Sequence, residues 1–245
     1  MTSVNGGDGR LASAFDSPPA KRAYVRRLFS TIATRYDFIT VLLSYGQDRR
    51  WKRQLVSLAD PRPGTEALDL ACGTGDIAFG LAGRGARVIG LDITHRMLQL
   101  ASGKQRTRPA KAALVAGDMM ALPFPDNRFD VVTTGYGIRN VPDIATAIAE
   151  MRRVLRPGGL LLSLDFDRPS NPVVRAGYLA YLTIVGATLG WVLHRDPDTY
   201  RYIPESIRRY PGAARVSAVM LEQGFTSTDH IPVLGGLMAI HRATK

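Results

Sequence analysis

Short apolar runs alternate with helix-like stretches through the middle of the chain. The apolar runs occupy residues 67–71, 88–91, 113–116, 129–133 and 160–166, and helical patterns lie between them at 77–82, 97–102 and 144–155. Strands that alternate with helices assemble into a parallel sheet covered on both faces, because each crossover is right-handed. The sequence therefore predicts an α/β fold with a doubly wound, mostly parallel sheet. A strand pair at 225–231 and 235–241, after a helix over 213–223, would complete seven strands.

The N-terminal part has a different pattern. Residues 1–20 are rich in Gly, Ser, Asp and Pro and lack the apolar segment of a signal peptide, so we predict a mobile tail before a single domain over 21–245. Apolar residues at helical spacing with basic residues between them predict amphipathic helices over 21–60. Trp51 among arginines is typical of a membrane-surface helix, although a solvated basic face over a core has the same pattern.

Residues 176–193 form an uncharged, largely apolar run that could be considered as a membrane span. The run is short for a span, is flanked by Arg175 and Arg195, and is not followed by a second span. We therefore predict a buried helical insertion over 170–212 that covers the active site. An apolar lid for a lipid-like ligand and a true transmembrane helix are the alternatives.

Charge and cysteine content narrow the function classes. The 245 residues include 32 Lys and Arg against 21 Asp and Glu, so the formal net charge is +11 and an anionic partner is favoured. A single cysteine, Cys72, excludes an intramolecular disulfide framework and fits a cytoplasmic setting. His95, His194, His230 and His241 are too scattered to be metal ligands, so we expect no metal.

A glycine-rich loop at residues 69–76 follows the first predicted strand and opens a helix. Gly73 and Gly75 would let backbone amides approach a ligand, as in dinucleotide sites. However, Asp69 and Asp76 bracket the loop, and their carboxylates would repel a pyrophosphate but suit an ammonium or a sulfonium. S-adenosylmethionine carries both cations and no phosphate. The loop therefore favours this methyl donor over NAD, with an NAD-dependent oxidoreductase as an alternative.

Two more acidic residues follow the next strands. Asp92 ends the second strand, where it could accept hydrogen bonds from a ribose diol. Asp118 follows the third, where it could accept from the exocyclic amine of adenine while Met119 packs on the ring. An Asp after a strand also forms turns, so Asp118 alone would not indicate a ligand. Asp92 and Asp118, together with Asp69 and Asp76, predict a donor pocket lined by carboxylates. The excess of arginine would lie largely outside this pocket.

Residues 134–140 follow the fourth strand, at the edge where ligands of open α/β sheets bind. They lack the Asn/Asp-Pro-Pro-aromatic cluster typical of methylation of exocyclic base amines. The only cysteine lies in the glycine loop, which does not suit the nucleophile of cytosine C5 methylation. A nucleic-acid methyltransferase would explain the net charge of +11, but no recognition motif is present, and we expect no nucleic-acid partner.

Several motifs together resemble the ubiquinone/menaquinone-biosynthesis C-methyltransferases. They are Tyr36-Asp37 and residues 43–46, 50–52, 69–76, 121–127, 137–140, 155–159, 200–202, 205–207 and 241–242, and they extend over most of residues 21–242. The chain departs from the family pattern at Thr40-Val41, where Asn-Asp is usual, at Cys72, where Gly is frequent, and at residues 165–167, where Glu-Phe-Ser is frequent. The first departure lies in the helix that would face the substrate.

The resemblance implies a class I methyltransferase fold, S-adenosylmethionine as donor, and methylation of a ring carbon of a prenylated quinol, most directly demethylmenaquinol to menaquinol. The benzoquinol precursor of ubiquinone and another small phenolic molecule are the alternatives. The donor would contact Thr74, Asp92, Asp118, Met119 and Gly135, and its methionine end would be shaped by Asp69, Gly73 and Gly75. The acceptor side and catalytic positions would be Arg139, Asn140, Tyr178, Tyr200 and Tyr202.

The implied reaction needs a phenolate, because a neutral aromatic carbon is a poor nucleophile. Arg139 could stabilise that anion, or it could only tie its loop to Asp143 or Glu150. The prenyl tail would occupy an apolar channel beneath residues 170–212. We therefore expect peripheral binding to the inner face of a membrane, weakened by salt, by a chain that acts alone, as a homo-oligomer or in a biosynthetic assembly.

Overall fold

The computed structural model describes residues 11, 13–169 and 171–245, and three helices with bounds inside the range 13–169 precede the sheet. They are α1 (Pro18–Ile32), α2 (Tyr36–Leu43) and α3 (Asp48–Ala59), and a 3-10 turn over Ala33–Arg35 joins the first two. The side chain of Ser17 accepts a hydrogen bond from the amide of Ala20, and Pro18 occupies the first turn of α1. Both features are typical helix starts, because they satisfy or remove amide groups that lack an intrahelical partner.

Seven strands form one sheet. They are β1 (Glu66–Leu70), β2 (Arg87–Asp92), β3 (Ala113–Ala116), β4 (Phe129–Gly135), β5 (Leu155–Phe166), β6 (Ser227–Val233) and β7 (Met238–Thr244). The spatial order is β3-β2-β1-β4-β5-β7-β6; the first five strands are parallel, and β7 runs antiparallel to β5 and β6. The predicted doubly wound α/β fold is confirmed.

Helices cover both faces of the sheet. They are α4 (Asp76–Ala82), α5 (His95–Gln105), α6 (Ile144–Val154), α7 (Pro172–His194), α8 (Tyr202–Arg209) and α9 (Ala213–Glu222). One core cluster packs Met151 of α6 and Met220 of α9 against Leu68 of β1, and the other packs Leu55 of α3 and Phe79 of α4 on the opposite face. Strands buried on both faces require continuous apolar runs, which explains why the runs predict these strands.

Some element boundaries differ from the prediction. Helix α6 ends at Val154 and β5 already begins at Leu155, before the Pro-Gly pair, with an irregular register against β4. The last two strands begin later than predicted, at Ser227 and Met238. The reason is that Phe225 packs in the core ahead of β6, and a turn over Leu234–Gly236 takes the residues predicted to start β7.

The structured chain begins before the predicted end of a mobile tail at residue 20. Leu11 and Ala14 are buried, and the ring of Phe15 stacks on that of Tyr202 with centroids 5.9 Å apart. Helix α1 then starts at Pro18. Residues 1–10 and 12, the rest of the predicted tail, lie outside the described residues. Aromatic packing at Phe15 therefore corrects the boundary of the domain.

Helix α7 lies at the surface instead of forming the predicted buried insertion. Within the described ranges it is the one helix long and apolar enough to cross a membrane by length and composition, and 22% of its apolar window is buried. Its buried side is a narrow stripe at every fourth residue, made of Tyr178, Leu182, Gly186 and Gly190. Because the whole run is apolar, the sequence shows no period from which this stripe could be read.

The buried stripe can be tested by paired substitutions. A Cβ atom added at Gly186 would lie 3.3 Å from the Cβ of Tyr200, so Gly186→Leu should lower the free energy of unfolding by about 1–3 kcal/mol. Ile184→Ser, on the side chain that is 66% exposed, should change it by less than about 0.5 kcal/mol. Urea denaturation measures both values. Equal effects would contradict the assignment of the buried stripe.

Candidate active site

The N-terminal helices lie across the carboxyl edge of the sheet and are tied to it by polar contacts. Lys21 of α1 donates hydrogen bonds to the carbonyl oxygens of Arg139 (3.2 Å) and Val141 (2.5 Å) in the loop after β4. Burial is the main reason that the pKa of Lys21 falls to about 8. Asp37 of α2 accepts a hydrogen bond from the hydroxyl of Thr74 in the glycine loop, at 2.6 Å. These contacts close the edge into cavities.

The first cavity, of about 680 Å³, lies between α1 and the ends of β1, β2, β3 and β4. Its walls combine glycine backbone, apolar side chains and carboxylates, and they include four of the predicted donor residues, Gly73, Asp92, Asp118 and Met119. The cavity is called the donor cavity below.

Gly73 and Gly75 shape the glycine loop, and their own amides are hydrogen-bonded within the protein. The Gly73 amide donates to Asp92 at 2.8 Å, and the Gly75 amide donates to the carbonyl of Cys72 at 2.8 Å. Both residues have positive φ, 54° and 88°, in the left-handed region that favours glycine. A Cβ at Gly75 would lie 2.5 Å from the Phe79 ring. The two glycines therefore permit the turn, and Gly73 lines the donor cavity, while close approach of other loop amides to a ligand stays a prediction.

Asp92 lies at the wall of the donor cavity with one hydrogen bond on each carboxylate oxygen. It accepts the amides of Gly73 at 2.8 Å and Thr94 at 2.7 Å. Burial raises the pKa of Asp92, and the two amides partly oppose that effect. A carboxylate oxygen can accept a second hydrogen bond. Asp92 can therefore still accept from the hydroxyls of a ribose diol, so the residues present fit the adenosine part of S-adenosylmethionine.

Asp118 has an unexpected cationic neighbour in the donor cavity. One oxygen accepts the Met120 amide at 2.9 Å, while the other lies 2.5 Å from Nη2 of Arg22 without an aligned hydrogen bond. Met119, beside it, is buried. Arg22 itself lines the cavity. The arginines were predicted to lie largely outside this pocket, and Arg22 is an exception, because α1 folds back over the sheet edge.

A smaller cavity of about 310 Å³ adjoins the donor cavity, and Tyr36, Ala71 and Gly73 line both. Its remaining walls come from α3, the glycine loop and the end of β4. They include four further predicted donor residues, which are Asp69, Thr74, Asp76 and Gly135. This space is called the small polar cavity below.

Asp69 is buried at the back of the small polar cavity. Its carboxylate accepts the Ala78 amide at 3.0 Å and the Thr133 hydroxyl at 2.8 Å. Burial raises the pKa of Asp69 to about 7, although both hydrogen bonds oppose the shift. The Ala78 amide belongs to the first turn of α4, where amides lack intrahelical partners. Asp69 therefore anchors the start of this helix and also lines the cavity.

Asp76 is flanked by two lysines, which the sequence prediction missed. Its oxygens lie 3.1 Å from Nζ of Lys52 and 3.0 Å from Nζ of Lys104. Burial alone would raise the pKa of Asp76, but the two lysines lower it to about 2. Lys104 also contacts Asp37 at 2.6 Å and the Thr74 hydroxyl at 2.8 Å. Asp76 is thus already neutralised, and is not an isolated anion waiting for a cationic ligand.

The third cavity, of about 690 Å³, lies among α1, α2, α7 and α8 and is mostly apolar and aromatic. Four of the five residues predicted for the acceptor side line it, which are Arg139, Tyr178, Tyr200 and Tyr202. We call it the acceptor cavity. Tyr36 lines this cavity, the donor cavity and the small polar cavity, so it marks the point where the three meet.

Arg139 is a buried cation at the wall of the acceptor cavity. Its Nε lies 3.1 Å from Asp165, without pointing at it, and its Nη1 donates to Asn140 at 2.9 Å and Ser206 at 3.2 Å. Its guanidinium carbon lies 4.8 Å from the centre of the Phe166 ring. These contacts hold the side chain in one position. Asp165, one of the departures from the family pattern, was not predicted as its partner.

Two predictions near Arg139 need correction. Asn140 lines the donor cavity instead of the acceptor cavity, because its amide donates to the carbonyl of Tyr136 at 2.7 Å. The alternative partners suggested for Arg139 are engaged elsewhere: Asp143 caps α6, and Glu150 pairs with Arg153 at 2.7 Å. The loop is tied by Asp165 instead.

The three predicted tyrosines keep their protons at neutral pH. Burial raises the pKa of Tyr200 to about 12, and it raises the pKa values of Tyr178 and Tyr202 further. The hydroxyl of Tyr200 lies 2.9 Å from Nε2 of His194. The buried hydroxyl of Tyr202 has no hydrogen-bond partner within the described residues. Because unsatisfied buried hydroxyls are costly, this group points to a polar ligand atom in the acceptor cavity.

The proton of Asp69 provides a test by pH. Its pKa of about 7 means that between pH of about 4 and 7 the folded protein keeps a proton that the unfolded chain releases. Asp69 therefore contributes a fall in the free energy of unfolding as the pH rises through this range, so the slope against pH should be more negative in the wild type than in Asp69→Asn. Urea titrations at several pH values measure both slopes. Identical slopes would show that Asp69 is ionised in the fold.

Comparison with known proteins agrees with this arrangement. The sequence profile of the ubiE/COQ5 methyltransferase family matches residues 18–245. The ubiquinone/menaquinone biosynthesis C-methyltransferase UbiE of Shewanella oneidensis is 37% identical over 230 residues, which are 92% of each chain. The predicted membership of this family is confirmed.

Solved structures agree on the fold. An S-adenosylmethionine-dependent methyltransferase from Thermotoga maritima superposes with a TM-score of 0.65 at 18% identity, over 90% of this chain and 99% of that one. The phosphoethanolamine N-methyltransferase 2 of Haemonchus contortus, solved with S-adenosyl-L-methionine, superposes with a TM-score of 0.60 at 15% identity. The superposition covers 80% of this chain and 52% of that one. The chain therefore belongs to the ubiE/COQ5 methyltransferase family and has the class I fold of S-adenosylmethionine-dependent methyltransferases.

Proposed function

We propose that the chain transfers a methyl group from S-adenosylmethionine to a ring carbon of a prenylated quinol, most directly demethylmenaquinol. The observation that carries the proposal is that Tyr36 lines both the donor cavity, which contains the carboxylates of Asp92 and Asp118, and the aromatic acceptor cavity. The name of the Shewanella oneidensis relative, which refers to ubiquinone and menaquinone biosynthesis, supports the quinol class. When bound, S-adenosylmethionine supplies an electrophilic methyl group.

The acceptor cavity suits an aromatic ring whose oxygen becomes negative. A ring carbon gains nucleophilicity when the neighbouring phenol loses its proton, so the protein must favour the phenolate. Arg139 is a permanent cation that is only 8% exposed, and a buried charge acts more strongly on a nearby anion than one in water. Asp165 holds the guanidinium in place before the substrate binds, which is the arrangement that stabilises developing charge most effectively.

The tyrosines serve as hydrogen-bond donors in this proposal and not as bases. Their raised pKa values keep Tyr178, Tyr200 and Tyr202 protonated at neutral pH. The unpartnered hydroxyl of Tyr202 can donate to a quinol oxygen. Ring carbon, methyl group and sulfur must also be collinear. Tyr36 lies where that line would cross from one cavity to the other.

The identity of the quinol is tested in a strain that lacks the gene. If the proposal holds, demethylmenaquinone accumulates, as identified by its mass and ring absorbance, and expression of the chain restores menaquinone. Accumulation of a benzoquinone precursor that lacks its methyl group would favour the ubiquinone alternative. Unchanged quinones in the strain would exclude the whole quinol class.

The role of Arg139 is tested by substitution. Arg139→Leu should lower kcat by about 10²–10³-fold while the Kd of S-adenosylmethionine stays within about threefold, because the lost interaction is made only to the phenolate. The substitution leaves Asp165 buried without its partner, so folding is checked by melting. The double variant Arg139→Leu with Asp165→Asn removes both charges and should fold while staying slow. Full activity of either variant would contradict the proposed role.

We further propose that the acceptor reaches its cavity from a membrane surface. Exposed apolar side chains lie beside the cavity on two elements, Phe38 and Leu42 of α2 and Ile184 and Trp191 of α7. The rings of Tyr45 and Tyr181 stack at 5.2 Å and join these two elements.

Basic residues lie near the same surface. Arg35, between α1 and α2, donates to the carbonyl of Leu193 near the end of α7, and Arg49 and Arg53 are exposed on α3. An apolar patch flanked by arginines suits the surface of a bilayer with anionic lipids, where each nearby cation contributes about 1 kcal/mol. The net charge of +11 is consistent with this partner.

Vesicle flotation tests the membrane proposal. The protein should float with anionic vesicles at low salt, and a smaller fraction should float at high salt because exposed charges are screened. Trp191→Ser should weaken vesicle binding about three- to tenfold. Leu221→Ser is the matched control, since Leu221 is 50% exposed on α9, on a different surface. Absence of flotation at every salt concentration, or equal losses in the two variants, would contradict the proposal.

A further inference from the structure

Lys52 is the one cationic side chain among the residues that line the small polar cavity. The carboxyl groups of Asp69 and Asp76 share this cavity, and the pKa of about 7 leaves Asp69 partly protonated at neutral pH. Arg22, the cation of the donor cavity, lies beside Asp118 instead. A ligand with a carboxylate in the small polar cavity would therefore find a single positive partner in its walls.

S-adenosylmethionine has such a carboxylate at its amino-acid end. Asp92, Asp118 and Met119 line the donor cavity, which fits the adenosine part. The small polar cavity continues from it past Tyr36 and Gly73, so the amino-acid end would extend into the smaller space. That end carries an ammonium, which can donate hydrogen bonds to the carboxyl oxygens there, and a carboxylate, which requires a cation.

Lys52 stays charged and is held rigidly. Burial alone would lower the pKa of Lys52, but Asp48 and Asp76 raise it above its usual range. Its Nζ lies 2.8 Å from Asp48 and 3.1 Å from Asp76, and Asp48 is fixed in turn by the Tyr136 hydroxyl at 2.7 Å. An ammonium group has three N–H donors, and these two carboxylates account for two of them. The third can serve a ligand.

We infer that Lys52 binds the carboxylate of the methionine moiety of S-adenosylmethionine. Lys104 provides an internal comparison, because it contacts Asp76, Asp37 and Thr74 as part of the same charge network. Both lysines line a wide groove on the outer side of Asp76, but Lys52 alone of the two also lines the small polar cavity. Lys52 is thus a donor-binding residue, and Lys104 a residue that ties the helices to the loop. The inference concerns the donor and is independent of which acceptor is methylated.

Calorimetry with two ligands separates a direct contact from a structural role. S-adenosylhomocysteine carries the carboxylate, whereas 5′-methylthioadenosine lacks the amino-acid end. Lys52→Met should weaken S-adenosylhomocysteine binding about 10- to 100-fold, the usual size of a charge-assisted hydrogen bond, and change 5′-methylthioadenosine binding less than about threefold. Lys104→Met, the matched control, should leave the ratio of the two affinities within about threefold of the wild type. Equal losses for both ligands in Lys52→Met, or none, would overturn the inference.

A measurement on the wild-type protein covers the case in which Lys52→Met does not fold. The unmodified protein should bind S-adenosylmethionine at least about tenfold more tightly than decarboxylated S-adenosylmethionine, because only the first has a partner for Lys52. Equal affinities would overturn the inference without any variant. Both experiments report binding alone, so their outcome is separate from that of the quinol proposal.

Discussion

The active site depends on a chain of alternating charges that holds the N-terminal helices against the carboxyl edge of the sheet. Asp48, Lys52, Asp76, Lys104 and Asp37 are linked by contacts of 2.6–3.1 Å from α3 through the glycine loop and α5 to α2. Three carboxylates and two ammonium groups leave a formal charge of −1, which suits a donor with a net charge of +1. Together with the hydrogen bonds from Thr74 to Asp37 and from Tyr136 to Asp48, these contacts hold α2 and α3 over the cavities.

The cavities on either side of Tyr36 separate two kinds of chemistry. The donor side has carboxylates and backbone groups for a charged, water-soluble ligand, and the acceptor side has aromatic and aliphatic walls around one buried cation. Arg139 and Asp165 make that cation part of the rigid core at the end of β5. In the proposed reaction, a methyl group would therefore pass from a charged molecule to a lipid-like one at the junction beside Tyr36.

The fold was predictable because parallel strands buried on both faces must be continuous apolar runs, and the chain has five of them. The positions of Asp92 and Asp118 were also readable, since they follow strands at a known edge. Contacts between distant segments could not be predicted. Arg22, Lys52 and Asp165 reach the site through tertiary packing, which the spacing of residues along the chain does not show. The buried side of helix α7 could not be predicted for another reason, because a uniformly apolar run does not show which side of the helix is buried.

The most direct measurement is methyl transfer by the purified protein in vesicles, with S-adenosylmethionine carrying a trideuteromethyl group. A prenylated demethylnaphthoquinol, its benzoquinol counterpart and a polar phenol are offered together, and mass spectrometry locates the label. We predict a labelled ring carbon on the naphthoquinol and no label on oxygen. Label on an oxygen, or on the polar phenol alone, would contradict C-methylation of a prenylated quinol.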